Sequence, residues 1–515
     1  MQDNYSVESS ASEAHIAVIQ TREEKLRAKR YRLFAEAPLY KTYFFQCSPN
    51  IIGSFYQLTA NAIMVMVLSH YNSSLTSAMS FSHPMVDLIR AMAMLFGSGT
   101  NNTVAFHFGR KDYKKAEQSM FNGLVLCFLI YIVILVIFYP LTPAIVTSFG
   151  TPEHIRHYTT TNSRIFIACG IIYNLSRWSN GVLRAQGSPK IVLFSLVISS
   201  TVSAVLAYVC CTKLNWGITG YSFASVANPL VNFLFNIPFL FFGKWLVIKP
   251  KITRINRLMW DVVKMGCSES LSMIAGMTLS ATMNKGIAKI THGIQSPDPK
   301  ISLTTLISSA HGATASITDI IFNTANTLAT NATLPLANFC RGARLWRRFR
   351  KVNITGFCVT FVFVFAFFSL IWALNYWIPN MYFTDELHRA TMRHFLRIYM
   401  PGRIICSPAI TIIALFQAVE LNFWATVISF LRKIFVISVL NVILMFTTTD
   451  VWVFLLAFPI GDAISTFLSF IIMAIWRNTL LLTRSSVEKK IIETEVVTDI
   501  EDIKIDTNIF PTNKR

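Results

Sequence analysis

Apolar residues in this chain come in long blocks, and polar ones collect in the short gaps between them. Runs such as 124–138 (LVLCFLIYIVILVIF) are apolar on every side, without the alternation of a strand or the one-sided stripe of a surface helix. A helix rises about 1.5 Å per residue, so roughly 20 apolar residues cross a hydrocarbon layer about 30 Å thick. On that ruler the sequence predicts helical spans at 44–68, 75–105, 117–142, 159–182, 189–212 and 218–243. A second set is predicted at 258–289, 303–338, 352–378, 394–418, 421–446 and 451–476. A transmembrane barrel would show segments of about ten residues with alternating polarity, which these blocks lack. The expected fold class is therefore an all-α polytopic membrane protein with twelve transmembrane helices.

The second half repeats the first. At a constant separation of 233 residues, Gly109 matches Gly342 and Gly123 matches Gly356, each pair bracketing a basic loop (GRKDYKKAEQSMFNG and GARLWRRFRKVNITG). The match runs on without a gap to TPEHIRHYTTTNSRI and TDELHRATMRHFLRI, pairing Thr151 with Thr384, Glu153 with Glu386, Arg156 with Arg389 and Arg164 with Arg397. Six spans per half give both halves one orientation. They are parallel repeats about an axis along the membrane normal, with a central cleft between two six-helix lobes.

The resulting divisions are a polar tail at 1–36, an N-lobe at 37–243, a linker at 244–257, a C-lobe at 258–478 and a second polar tail at 479–515. The first tail ends in a basic stretch, TREEKLRAKRYRLF, that suits either an interfacial helix or a solvated segment.

Only 14% of the 515 residues are charged and 53% are hydrophobic, against about 25% charged in an ordinary soluble domain. The formal net charge of +20 sits in loops. Basic residues crowd 22–41, 110–115, 244–257 and 341–351, whereas 69–75, 213–217 and 447–450 hold only Lys213. Arg156, Arg389 and Arg393 are the exceptions. That asymmetry predicts cytoplasmic termini and accounts for the charge without nucleic acid; the plasma membrane is the expected location. No leader with an apolar core is expected within residues 1–40. The nine cysteines have no zinc-ligand spacing and read as small packing residues. Soluble-enzyme signatures are not found, so neither an enzyme nor a cofactor is expected.

Within the spans, ionisable groups are costly unless they face a cavity or a partner. His83, Asp87 and Arg90 fall on one face of the second span. Asp319 in the eighth lies one residue from the repeat mate of Asp87. Asp87 and Asp319 are therefore the expected cleft carboxylates, exchanging a proton for substrate, against the alternative that Asp87 and Arg90 form a local structural pair. Asn284 is a ligand or packing candidate. Asp462 reads as structural, Glu269 and Asp261 as reaching the interface, and Arg177 and Arg403 as snorkelling or bonding carbonyls.

Several short motifs, in order, resemble the multidrug and toxic compound extrusion (MATE) family, within the larger group of multidrug, oligosaccharidyl-lipid and polysaccharide flippases. They are Pro38 and Pro49 before the first span, KDYKKAEQ after the second, LRAQGSPK at 183–190 and WGITGYSFASV at 216–226. The second half adds LPLANFCRGA with Pro335, Gly342 and Ala343, then LFQAVELNFWATVISFLRKIF and FPIGDAISTF. The resemblance covers residues 36–478. It implies efflux of small organic, often cationic or amphipathic compounds from a bilayer, driven by H+ or Na+, and a monomer is expected. The chain departs from the family pattern in three places. Met64 stands where many members carry a carboxylate on the first helix, beside a matching Asn61. Ser203 and Ala207 replace an asparagine and an aspartate on the fifth, and Cys340 replaces an asparagine. The usual N-lobe cation site is thus missing. A flippase for a lipid-linked or amphipathic substrate is the alternative, binding anionic head groups through arginines such as Arg90. A non-transporting scaffold or receptor is the alternative of another class.

Overall fold

In the computed structural model, residues 24–241, 248, 255–291 and 302–476 are described; the ends of both tails and most of the linker lie outside them. Helix α1 covers 24–35. The first lobe then runs through α2 (Leu39–Tyr71), α3 (Ser73–Gly109), α4 (Tyr113–Ser148), α5 (Glu153–Ala168), α6 (Gly170–Ala185), α7 (Pro189–Tyr208) and α8 (Gly217–Phe241). The second comprises α9 (Leu258–Thr291), α10 (Leu303–Thr327), α11 (Leu334–Gly342), α12 (Trp346–Ala373), α13 (Trp377–Tyr382), α14 (Glu386–Ala418), α15 (Asn422–Phe430), α16 (Val439–Thr447), α17 (Val451–Leu455) and α18 (Ala457–Ile475). Turns of π-helix at Leu328–Thr333 and Leu431–Ser438 join α10 to α11 and α15 to α16 without a break. Counting these joined pieces as rods, with α5 and α6 as one, α17 and α18 as one, and the short α1 and α13 left aside, the described residues form twelve, one for each expected span.

Two expected spans are not continuous: 451–476 is divided at Leu456 into α17 and α18, and the other break lies deeper in its span. The block at 159–182 is divided at Cys169 into α5 and α6, and the Tyr131 hydroxyl donates to the carbonyl oxygens beside the break, Ala168 at 2.6 Å and Ile167 at 3.3 Å. A break inside a membrane protein is tolerated where a neighbour satisfies the freed backbone groups.

Eight of the described helices are long and apolar enough to cross a membrane by composition. Four rods fall short: α3, α5–α6, α9 and α10–α11. The reason is position. Helix α4 turns Phe128, Leu129, Ile132, Val133 and Val136 outward, and α12 does the same with Val362 and Phe365, as helices facing lipid must. The four polar rods meet at the centre, where side chains answer to a cavity instead of lipid.

The repeat is visible as reciprocal packing. A Cβ on Gly109 would collide with the Phe339 carbonyl oxygen, and one on Gly342 with the Phe106 carbonyl oxygen. Phe106 and Phe339 are themselves repeat mates. Likewise Gly123 packs on Thr100 and Gly356 on Thr333, again matched at the same separation. Contacts that exchange partners in this way belong to a two-fold axis between parallel halves. Small residues here let helix backbones touch, as membrane helix interfaces require.

Helix α1 is not an isolated tail. Phe34 is 4% exposed and its ring lies 5.2 Å from that of Phe339 and 6.4 Å from that of Phe108, so α1 bridges the ends of α3 and α11.

Candidate functional site: a central cavity between the lobes

Between the lobes lies an internal cavity in two compartments that share Arg90, Met273 and Asn323. The C-side compartment, about 1050 Å³, is walled by α3, α9, α10, α14 and the π-turn at Leu431–Ser438. The N-side compartment, about 1200 Å³, is walled by α2, α3, α6, α7, α8 and α10.

His83, Asp87 and Arg90 do form one stripe, one turn apart along α3 and lining the C-side compartment. Arg90 Nη1 lies 3.2 Å from Asp87 Oδ1, so the local pair exists inside the cavity wall. Asn284 joins them, its amide donating to the Ser80 carbonyl oxygen at 2.9 Å across to α3. Asn61 lines the N-side compartment with Arg90. Asp319 lies on α10, one turn before Asn323, and its side chain is outside the described set.

Three expectations are corrected. Glu269 does not reach the interface: it is 7% exposed, faces a smaller void continuous in its lining with Arg432 and Lys433, and its Oε1 has no hydrogen-bond partner. Arg403 does not snorkel; it lines the C-side compartment with its guanidinium 5.3 Å from the centre of the Phe322 ring. Arg177 lines the N-side compartment, 6.0 Å from the centre of the Tyr173 ring.

Arg432 and Lys433 were missed by sequence reasoning. Arg432 Nε donates to Asp462 Oδ1 at 2.8 Å, and both residues are buried, which makes Asp462 the structural partner it was expected to be. The Arg432 guanidinium also faces Phe322, 5.2 Å from the ring centre. Lys433 Nζ donates to the Ser272 carbonyl oxygen and, at 3.2 Å, to its hydroxyl. Two adjacent cations inside an otherwise apolar block are the signal that could have found them.

At the position of the usual N-lobe site, Ser203 Oγ donates to the Ala224 carbonyl oxygen at 2.7 Å and lies 3.1 Å from Met64 Sδ, with Ala207 buried alongside. Among the described residues no group of three or more His, Cys, Asp or Glu could hold a metal ion.

At each end of the cavity, contacts join one lobe to the other. Toward the end carrying the basic loops, the Gly109 and Gly342 contacts and the rings of Phe34, Phe108 and Phe339 join the lobes. There Arg184 Nη1 also donates to Asn331 Oδ1 at 2.9 Å. At the opposite end the Ser77 and Ser308 hydroxyls bond each other, and the Ser80 hydroxyl donates to the Ser308 carbonyl oxygen at 3.1 Å. The Tyr382 hydroxyl bonds Ser316 at 3.0 Å and donates to the Ala62 carbonyl oxygen at 3.2 Å.

The family model MatE matches residues 49–209 and 305–447, one block in each lobe and more than half of the chain. The chain belongs to the MatE family. This MatE protein is 21% identical over 392 residues to the probable multidrug resistance protein YoeA of Bacillus subtilis (strain 168), covering 74% of this chain and 81% of that one. It is 22% identical over 248 residues to the multidrug export protein MepA of Staphylococcus haemolyticus (strain JCSC1435), 47% of this chain and 54% of that. The fold matches a MOP superfamily transporter from Pyrococcus furiosus, described by a reverse polarity of its binding pocket that suggests a different function. The TM-score is 0.75 at 18% identity, over 88% of this chain and 99% of that one. It also matches a multidrug resistance MATE family transporter of the MOP superfamily in an outward-facing conformation (TM-score 0.73, 17% identity, 88% and 99% covered). For an inward-facing conformation the TM-score is 0.69 at 17% identity, with 83% and 96% covered. These likenesses establish the twelve-helix fold for a multi-pass membrane protein.

Proposed function

We propose that this MatE protein is a secondary-active exporter of small organic compounds that works by alternating access. The supporting observation is a roomy cavity between two repeat-related lobes, with contacts joining one lobe to the other at each end. Opening one seal while the other holds would expose the cavity to one side at a time. The names of YoeA and MepA, and the existence of the fold in outward- and inward-facing forms, agree with this reading. Asp87, with Asp319 near its repeat mate, is the carboxylate through which a proton would be exchanged for cargo.

The test is a reversible lock. In proteoliposomes loaded with a mixture of fluorescent organic solutes, Ser77→Cys with Ser308→Cys should halt efflux on oxidation and restore it on reduction. Efflux that continues at the full rate with the disulfide formed rules out parting of the lobes at this seam and the reading with it. Asp87→Asn and Asp319→Asn should flatten the pH dependence of efflux. Unchanged pH dependence in both removes the proton-exchange role alone.

A second reading, a flippase for a lipid-linked or amphipathic substrate, is favoured by Arg90 and Arg177 in the cavity wall, since guanidinium groups suit phosphate and carboxylate head groups.

A further inference from the structure

The geometry points to an organic anion as the cargo: its acidic group is held by Arg177 with Arg90 in the N-side compartment, and its apolar body lies against Tyr173, Phe166 and Tyr221. This rests on the exporter reading, though not on proton exchange at Asp87, and adds the sign of the substrate, which the family resemblance gave as often cationic.

Charge carries the argument. Among the described residues, the N-side compartment is lined by Arg177, by Arg90 with its Asp87 partner behind it, and by no aspartate or glutamate of its own. Its other polar walls are amides and hydroxyls, including Gln57, Asn61, Asn228 and Ser225, all able to donate to an anion. Across both compartments and the adjoining void, once the Arg90–Asp87 and Arg432–Asp462 pairs cancel, the described lining keeps Arg177, Arg403 and Lys433 against Glu269. In those two pairs carboxylate and guanidinium neutralise each other, with Asp462 behind the wall. Among the described residues, no carboxylate lies within 4.0 Å of Arg177, Arg403 or Lys433.

An organic cation entering this space would give up water for guanidinium neighbours, and a desolvated charge without a counter-charge is expensive. An anion would instead gain charge-assisted hydrogen bonds, roughly twice as strong as neutral ones. The ring of Tyr173 beneath Arg177 holds that guanidinium at the cavity wall.

A second observation agrees independently. Where a carboxylate pair would meet a cation in the N-lobe, Met64, Ser203 and Ala207 fill the space and bond only one another and the backbone. A cation exporter loses its counter-charge by that change. An anion exporter loses nothing, because an anion leaving the negative side of a membrane is pushed outward by the potential itself.

The full chain in proteoliposomes, with a potassium diffusion potential set by valinomycin, tests this with three probes: fluorescein as a free aromatic carboxylate, ethidium as an aromatic cation, and a labelled phosphatidylglycerol as a lipid-borne anion. Fluorescein should move, faster as the receiving side is made positive, and ethidium should not. Arg177→Gln should lower that flux at least tenfold and Arg177→Lys should recover a good part of it. Should Arg177→Gln fail to fold, Asn228→Asp sets a carboxylate in the same wall and should lower fluorescein flux tenfold while admitting ethidium. Movement of the lipid alone, with the same dependence on Arg177, also supports the anion site and places the anion on a head group. Ethidium moving while neither anion does overturns the inference and leaves the exporter reading intact. Fluorescein flux unchanged in both variants overturns the site. Movement of no probe at all overturns the exporter reading, and this inference with it.

Discussion

Of the two seams that join the lobes at the ends of the cavity, the one toward the basic loops is built from backbone contact and rings, and the opposite one from hydroxyl groups. In the first, Gly109 and Gly342 let α3 and α11 touch where a side chain would not fit, and Phe34, Phe108 and Phe339 close over them. Arg341 pairs with Glu420 at 2.9 Å and stands over the Phe106 ring, 4.7 Å from its centre. In the second, Ser69, Ser77, Ser80, Ser308 and Tyr382 hold the lobes by hydrogen bonds, with Gly312 packed on Ser80. Packed surfaces resist separation because every void forfeits contacts on both sides. A hydroxyl pair is nearly indifferent, since water replaces each bond at a net cost of about 1 kcal/mol. The hydroxyl seam should therefore open first.

The heaviest blow to that difference falls on the backbone contact. In Gly342→Val the new side chain meets the Phe106 carbonyl oxygen, and a backbone atom cannot step aside as a side chain would. Transport should fall by more than tenfold, and Cys340, fully buried beside this contact, should become reactive to maleimide. Cys340 as protected as before would show that this seam carries no special weight.

Next in size, Asp462→Asn is a control in neither seam. It leaves the buried Arg432 guanidinium without its charge partner, a loss of about 3–5 kcal/mol in stability, read as a lower melting temperature in detergent. Neither seam should change its accessibility. If one does, the C-lobe interior and the seams are a single unit and the comparison between seams must be redrawn.

Phe34→Ala acts on the ring seam alone. Truncating a buried phenylalanine costs about 3–5 kcal/mol in a core, and less here because α1 can be lost without unfolding the lobes. Cys47 and Cys340 should then label faster from the side of the basic loops, by ten- to a hundredfold. The opposite side should be unaffected.

How much of this was readable beforehand follows from what each signal reports. Apolar block length reports contact with lipid, so the twelve rods and the parallel repeat were legible, down to the glycines at Gly109 and Gly342. The stripe of His83, Asp87 and Arg90 was legible too, because helical spacing fixes which side chains share a face. Convergence across the chain was not. Arg432 finds Asp462 within its own lobe, but Arg177 and Arg403 meet the cavity from helices more than two hundred residues apart, and no local pattern encodes that. The division at Cys169 was hidden for a different reason: its flanking residues include no proline, and the block reads as one helix. The docking of α1 was hidden because its basic face suits lipid as well as protein.

The smallest expected effect is also the sharpest test of the seam difference. Ser77→Ala removes one hydroxyl from the pair with Ser308 and leaves the other free to find water or a backbone carbonyl. A net loss of about 1 kcal/mol is about a fivefold change in an opening equilibrium. With a reporter Leu279→Cys in the C-side compartment, an impermeant maleimide applied from the side of the hydroxyl seam should label about five times faster in Ser77→Ala than in its parent. Applied from the side of the basic loops, it should label at the parent's rate. An increase as large as that produced by Phe34→Ala on its own side would mean that the hydroxyl pair holds the lobes as firmly as the packed rings, and the order of opening argued from their chemistry would be wrong.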